Sequence, residues 1–110
     1  MKPEDLIKLY MLGIFPMSND REDKEIFFIN PEHRTIIPIK KFHFSKSLKR
    51  LIKQRPFQIT FNKAFPQVID ACANINRNQT WINKEIESLF ISLHKMQYAH
   101  SIECWKDNKL

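Results

Sequence analysis

Lys46, Lys49, Arg50 and Lys53 recur at the i, i+3, i+4, i+7 spacing that places side chains on one face of a helix. On a helical wheel they fall within roughly 100° of one another, with Leu48, Leu51 and Ile52 opposite. The pattern predicts a helix over 46–54, capped by Ser45 and stopped by Pro56. It should bury its leucines and present the four cations as a ridge. Like charges at these spacings repel by roughly 0.2–0.5 kcal/mol per pair. No acid is supplied to relieve them: residues 33–68 hold nine cations and neither Asp nor Glu. A ridge left uncompensated can neutralise an external polyanion, and an RNA or DNA backbone fits, because each neutralised phosphate releases counterions. The competing reading is a solvated helix face that happens to be basic.

Trp81 lies in the polar stretch "NQTWINKE" ahead of a long helical pattern. A tryptophan there either plugs a core or offers its ring to an unpaired base, a contact worth roughly 1–3 kcal/mol. Beside a cationic ridge, the second role would grip a single-stranded RNA end. His43, His94 and His100 are candidate acid–base groups, with Glu103 near the last. On an extended strand, however, His100 and Glu103 point to opposite faces, which argues against a dyad. No His/Cys/Glu metal signature occurs, and a single glycine, Gly13, excludes a Gly-rich phosphate loop. Cys72 and Cys104 lack metal spacing and read as small buried hydrophobes. The "NQT" sequon at Asn78 would matter only in a secreted protein.

The elements that must position these groups follow from periodicity and punctuation. The chain has 110 residues with 43% hydrophobic and 12% aromatic content, enough for one domain with a modest core. Its net charge of +6 is unevenly placed, since outside 33–68 nine cations face twelve anions. No apolar run approaches about 18 residues, so no membrane span is expected. The N-terminus does not read as a signal peptide, and cytoplasmic residence is the default. Pro3 and Gly13 bracket a short amphipathic helix, after which "GIFPM" turns in extended form. "IFFI" (26–29) reads as a buried strand and "RTIIPI" (34–39) as a second, edge strand limited by Pro38. "FQITFN" (57–62) alternates as a strand, a helix starts near Pro66, and "NRNQTW" is a loop. The longest helix covers 82–97, capped at Asn83, with Ile86, Leu89, Phe90, Leu93 and Met96 on one face. "HSIECW" (100–105) is a strand, and "KDNK" is a hairpin turn that would launch a returning strand. The order β-α-β-α-α-β predicts an α+β or α/β layer fold. From the residues alone this is a small basic domain that binds RNA.

Several stretches carry more. "GIFPM", "FFINPEHRTIIPI", "FHFSKSLKR", "PFQITFNKAFPQVIDACA", "TWINKEI" and "LHKMQYAHSIECWKDNKL" occur in this order over nearly the whole chain. Together they resemble the bacterial leucyl/phenylalanyl-tRNA–protein transferase family. The resemblance implies an aminoacyltransferase that moves Leu or Phe, and less readily Met, from aminoacyl-tRNA to a protein with N-terminal Arg or Lys. That transfer marks the acceptor for N-end-rule degradation. It implies an α+β fold: a small N-terminal segment (1–33) joined to the first half of a GNAT-like acyltransferase domain (34–110), cut at a hairpin. It implies a monomer with no metal and no small cofactor, because the tRNA ester is itself the activated donor. By position, Trp81 matches the tryptophan holding the 3′-terminal adenosine of the tRNA. Lys46, Arg50 and Lys53, with Lys49 on the same ridge, match the basic cluster at the acceptor stem. Met17 stands where many members carry Trp. The family's V-G-G-L-Y-G strand and G-E-S-M-F-S segment have no counterpart here, so the catalytic residues are expected in a half this sequence lacks. The rival expectations are a non-catalytic RNA-binding module and an inert remnant.

Overall fold

The computed structural model of the chain describes residues 1–76 and 78–110. Residue 77, inside the loop expected from "NRNQTW", lies outside the described residues. The first helix, α1 (Pro3–Met11), starts on a proline and carries Glu4 and Asp5 in its first turn, where the exposed N–H groups favour negative charge. It ends at Gly13, whose φ of +80° is the left-handed conformation that favours glycine. The Gly13 N–H closes the turn on Tyr10 O at 2.9 Å. The carbonyl of Gly13 accepts from Arg34, whose guanidinium also lies 6.0 Å over the Phe15 ring. One of the nine cations of the basic stretch is therefore occupied in tying that stretch to the N-terminal segment.

"GIFPM" does more than turn. Phe15–Met17 forms a strand, β1, antiparallel to β2 (Phe27–Ile29), with Phe15 opposite Ile29 and Met17 opposite Phe27. The expected strand at 26–29 exists, but it is not buried: Phe27 and Phe28, which point to opposite faces, are both exposed, so neither face of the two-stranded ribbon is fully covered there. "RTIIPI" does not form a strand. The segment runs irregularly into one 3-10 turn, Ile39–Lys41, after Pro38. Every residue from 32 to 55 is exposed.

Within that stretch stands α2 (Lys46–Lys53), with Ser45 as its N-cap: Ser45 Oγ accepts from Leu48 N–H at 3.2 Å. The helix and its cap are as expected. Its burial is not, since Leu48 and Leu51 are each 42% exposed and Ile52 55%. The amphipathic pattern shapes the helix, but its apolar side is only partly covered by the described residues.

The core lies between α3 (Phe65–Asn74) and α4 (Lys84–Lys95). Phe65, Ile69 and Ala73 of α3 pack with Ile82 and Ile86, and Leu89 and Leu93 of α4 pack with Leu6 of α1. Phe90 touches both clusters, so α4 is the shared wall. Asn83 caps α4 by accepting from Ile86 N–H at 2.8 Å. Of the expected apolar face, Ile86, Leu89 and Leu93 are buried, Phe90 is half-buried, and Met96, past the helix end, is exposed. β3 (Gln58–Phe61) and β4 (Ile102–Trp105) form a second antiparallel pair, with Ile59 opposite Cys104 and Phe61 opposite Ile102. Beyond β4, Asp107 and Asn108 take φ of 52° and 62°, and Lys106 and Lys109 exchange backbone bonds at 2.9 and 3.0 Å. The expected tight turn is there, with Asp and Asn supplying the positive φ values it needs.

Helices with two separate antiparallel ribbons make the chain α+β. Its accessible surface is 9187 Å², against about 6,500 Å² for a compact monomer of this mass. Its radius of gyration is 16.5 Å, against about 13 Å for a compact chain of this length. The excess sits on the basic stretch and on one face of β3–β4, where Ile59, Phe61, Ile102 and Cys104 are all exposed. Cys104 belongs to that open face and Cys72 is exposed on α3, so neither cysteine is the buried hydrophobe the sequence suggested.

Candidate nucleic-acid interface

The four cations of α2 are set by helix geometry alone. Each is exposed, and among the described residues none forms an ion pair; the ion pairs there involve Met1, Lys8, Arg21 and Lys84. The ridge is therefore electrostatically unspent, as its lack of nearby acids required. Lys40 and Lys41 precede it in the 3-10 turn and Arg55 follows it, all three exposed. At the base of the helix, Phe42 and Phe44 stack edge to face at 4.9 Å between centroids. Phe44 and Ile52 share a shallow depression with Lys49 and Lys53.

Trp81 sits elsewhere. A loop holds it by its backbone: Trp81 O accepts from Ser18 N–H at 2.9 Å. Its neighbours are pinned as well. Thr80 Oγ1 accepts from Ile82 N–H at 3.2 Å, and Asn83 Nδ2 donates to Asp23 O at 2.9 Å. Arg21 binds Glu87 of α4 and reaches Ile82 O at 3.4 Å. The segment 18–25 is thus strapped across the start of α4, and the indole position follows from it. The ring is half-buried, edge to face with Phe90 at 6.4 Å, and packs on the α3–α4 core. The core-plug reading of Trp81 holds in part. One side of the ring closes the core, and the residue also lines an apolar cavity of about 200 Å³ between α3 and α4. No hydrogen bond or ion pair among the described residues joins Trp81 to α2.

The histidines divide. His94 Nδ1 donates to Ala99 O at 2.9 Å, and its ring stacks on Phe65 at 4.3 Å, a packing role. His43 is exposed in the basic stretch. His100 is exposed too, with Nδ1 3.0 Å from Asn62 Nδ2, and it lines both the Trp81 cavity and a larger one of about 520 Å³. Tyr10 lines that larger cavity, and burial pushes its hydroxyl pKa up. Sequence reasoning did not single out Asn62; an Asn closing a strand is a weak signal on its own.

Glu103 is buried and His100 exposed, and among the described residues no hydrogen bond joins the two. Its Oε1 accepts from Thr60 Oγ1 at 2.7 Å and from Lys63 N–H at 3.0 Å. Its pKa is lowered. The Ser101 hydroxyl has the largest effect, Thr60 and the N–H groups of Lys63 and Ala64 add to it, and burial opposes them. Thr60 in turn accepts from Trp105 Nε1 at 2.8 Å. The network ties β3 to β4 from the covered side of the ribbon. Among the described residues no three His, Cys, Asp or Glu side chains gather as metal ligands, and no helix is long and apolar enough to cross a membrane.

Comparison with known proteins places this geometry. The family model described as Leucyl/phenylalanyl-tRNA protein transferase matches residues 36–110, a span that includes α2, Trp81 and β4. A leucyl/phenylalanyl-tRNA–protein transferase of Hyphomonas neptunium is 43% identical over 110 residues, covering 98% of this chain and 43% of the relative. That of Phenylobacterium zucineum is 44% identical over 108 residues, covering 96% and 49%. That of Novosphingobium aromaticivorans is 44% identical over 110 residues, covering 98% and 42%. The chain spans less than half the length of these relatives. With the match reaching over all the elements that carry its exposed cations and its loop tryptophan, the chain belongs to the leucyl/phenylalanyl-tRNA protein transferase family.

Proposed function

We propose that this chain supplies the tRNA-holding elements of an aminoacyl-tRNA–protein transferase. The donor is a Leu- or Phe-tRNA, and the acceptor is a protein with N-terminal Arg or Lys, which the transfer commits to N-end-rule degradation in the cytoplasm. Lys46, Lys49, Arg50 and Lys53 meet the phosphates of the acceptor stem, and Trp81 stacks on the terminal adenosine. The residues that deprotonate the acceptor amine and stabilise the tetrahedral oxyanion lie in the family's sequence beyond the part matched here. Residues 34–110 are then the opening half of a GNAT-like domain, preceded by an N-terminal segment, 1–33, and the protein works as a monomer. No metal or small cofactor takes part, because the ester of the charged tRNA is already activated.

The observation that supports this best is the ridge itself: four exposed cations on one helix face, free of any ion pair among the described residues, inside a family whose donor is a tRNA. The test is tRNA binding measured by fluorescence anisotropy at several salt concentrations. The expected result is weak association that falls steeply with salt. No detectable association at low salt refutes the proposal. A mixture of this chain with the remaining half of a relative gives leucyl transfer to an N-terminal Arg peptide if the division of labour is right. The non-catalytic module gives binding and no transfer.

A further inference from the structure

Asn62 ends β3 in the left-handed region at φ 58°, a conformation Asn tolerates better than most residues. Its backbone N–H and both ends of its side-chain amide are engaged. The backbone N–H donates to Ser101 O at 3.0 Å, the side-chain Oδ1 accepts from Ser101 N–H at 3.0 Å, and Nδ2 faces His100 Nδ1 at 3.0 Å. The second bond settles the third. A backbone N–H already points at one end of the amide, so that end is the oxygen and the end facing His100 is the NH2 group. An NH2 group donates, so His100 Nδ1 accepts, and the neutral ring carries its proton on Nε2. Asn62 therefore fixes both the position and the tautomer of His100, leaving Nε2–H as a preset donor.

His100 borders the Trp81 cavity. At about 200 Å³ the space is smaller than the roughly 300–1,000 Å³ of drug-sized pockets, a size for one ring system and not for a whole nucleotide. Its walls are mainly apolar, from Phe65, Ile69, Ile82 and Phe90 besides Trp81. Ser101, whose buried hydroxyl lowers the Glu103 pKa, stands next to His100 in the same wall. An apolar slot with an aromatic platform and a few directional polar groups is the usual form of a site for a flat heterocycle.

We propose that His100 Nε2–H, its tautomer held by Asn62, donates a hydrogen bond to an acceptor atom of the terminal nucleoside of the tRNA beside Trp81. This rests on the tRNA reading of Trp81 given above. His100 is then a positioning residue: Trp81 binds the ring by area, and His100 fixes its orientation, hence the direction in which the 3′ ester leaves the cavity.

The test uses the 110-residue protein with two labelled acceptor-stem RNA hairpins, one ending in CCA and one in CC, and reads the ratio of the two affinities by anisotropy. The wild-type protein favours the CCA end, and W81A abolishes that preference. H100A and H100F each lower the ratio by about fivefold, the worth of one neutral hydrogen bond. H100Q retains it, because its amide N–H extends to where Nε2–H stood. If H100A lowers the melting temperature, H100F keeps the ring and removes only the donor, and it decides. If W81A abolishes the preference while H100A and H100F keep it, the inference is wrong and the reading of Trp81 stands. If H100Q loses as much as H100F, the donor is not what matters and the inference is again wrong. A wild-type protein indifferent to the terminal adenosine, or W81A with the full preference, removes both readings.

Discussion

Replacing Lys49 and Lys53 by Ala separates a phosphate-binding ridge from a solvated one, because both roles leave the fold intact and only the first loses tRNA affinity. In the free protein Lys53 repels Lys49 and Arg50, and Lys49 also repels Lys46, all at i, i+3 or i, i+4 spacing on α2. At roughly 0.2–0.5 kcal/mol per pair, the double substitution relieves about 1 kcal/mol at low salt. No ion pair is lost, since none is made there among the described residues. Alanine is also the better helix former. The melting temperature should therefore hold or rise slightly. Binding should move the other way. Each duplex phosphate contact contributes about 0.9 to the slope of log affinity against log salt, so four contacts give a slope near −3.6. Raising salt from about 50 to 200 mM then costs the wild-type protein on the order of a hundredfold in tRNA affinity. The double variant keeps about half that slope and loses only on the order of tenfold. Anisotropy titrations of a labelled tRNA at four salt concentrations give both slopes. An unchanged slope in the double variant, with its melt intact, refutes the reasoning: the ridge would then face solvent and nothing else.

Leu89 and Leu51 test where the core lies: L89A should cost about 2–5 kcal/mol in urea unfolding, as a buried leucine does, while L51A should stay within about 0.5 kcal/mol. Asn83→Ala removes the α4 cap and the bond to Asp23 O, and a loss of about 1–2 kcal/mol by the same assay is expected. Glu103 gives the pH dependence. Its folded pKa lies below the ordinary 4.5, so the unfolded chain takes up the proton first as pH falls, and stability present above 4.5 drains away as pH drops through the folded value. Melts of wild type and E103Q between pH 7 and pH 3 should show the wild-type curve falling more steeply below 4.5, and parallel curves would count against a charged, bonded Glu103.

What the sequence made legible was local. Ser45 and Asn83 cap their helices, Pro3 opens α1, Gly13 ends it, and Asp107–Asn108 turn the chain, each because the residue's own chemistry suits that backbone position. The four ridge cations share a face for the same reason, since helical spacing needs no tertiary partner. The failures all concern what packs on what. β1 was missed because Pro16 inside a three-residue strand hides its pairing with Phe28, which only the strap of residues 18–25 brings about. "RTIIPI" has strand composition and no neighbour to pair with, so propensity alone could not hold it extended. Trp81 could not be assigned from its polar surroundings, because the backbone bond from Ser18 that turns its ring toward the core comes from more than sixty residues earlier in the chain.

Leu48, Leu51 and Ile52 carry that distinction furthest. An amphipathic pattern states that one face avoids water; it does not state what covers that face. The reading of α2 assumed that a helix with a clean apolar side must lie on the core, and the structure leaves that side only partly covered, together with Ile59, Phe61 and Ile102 on the β3–β4 ribbon. Surface of this kind is costly at roughly 25 cal/mol per Å² of apolar area, and the chain shows about 2,700 Å² more total surface than a compact monomer of its mass. The apolar pattern and the cationic pattern on α2 are thus two separate demands on two separate partners. Under the proposed function, the leucines meet a protein surface and the lysines meet the phosphates of the tRNA. One helix held between those two surfaces would set the tRNA stem at a fixed distance from whatever packs beneath it. That geometry is what a transferase needs and what a detached basic helix would not provide.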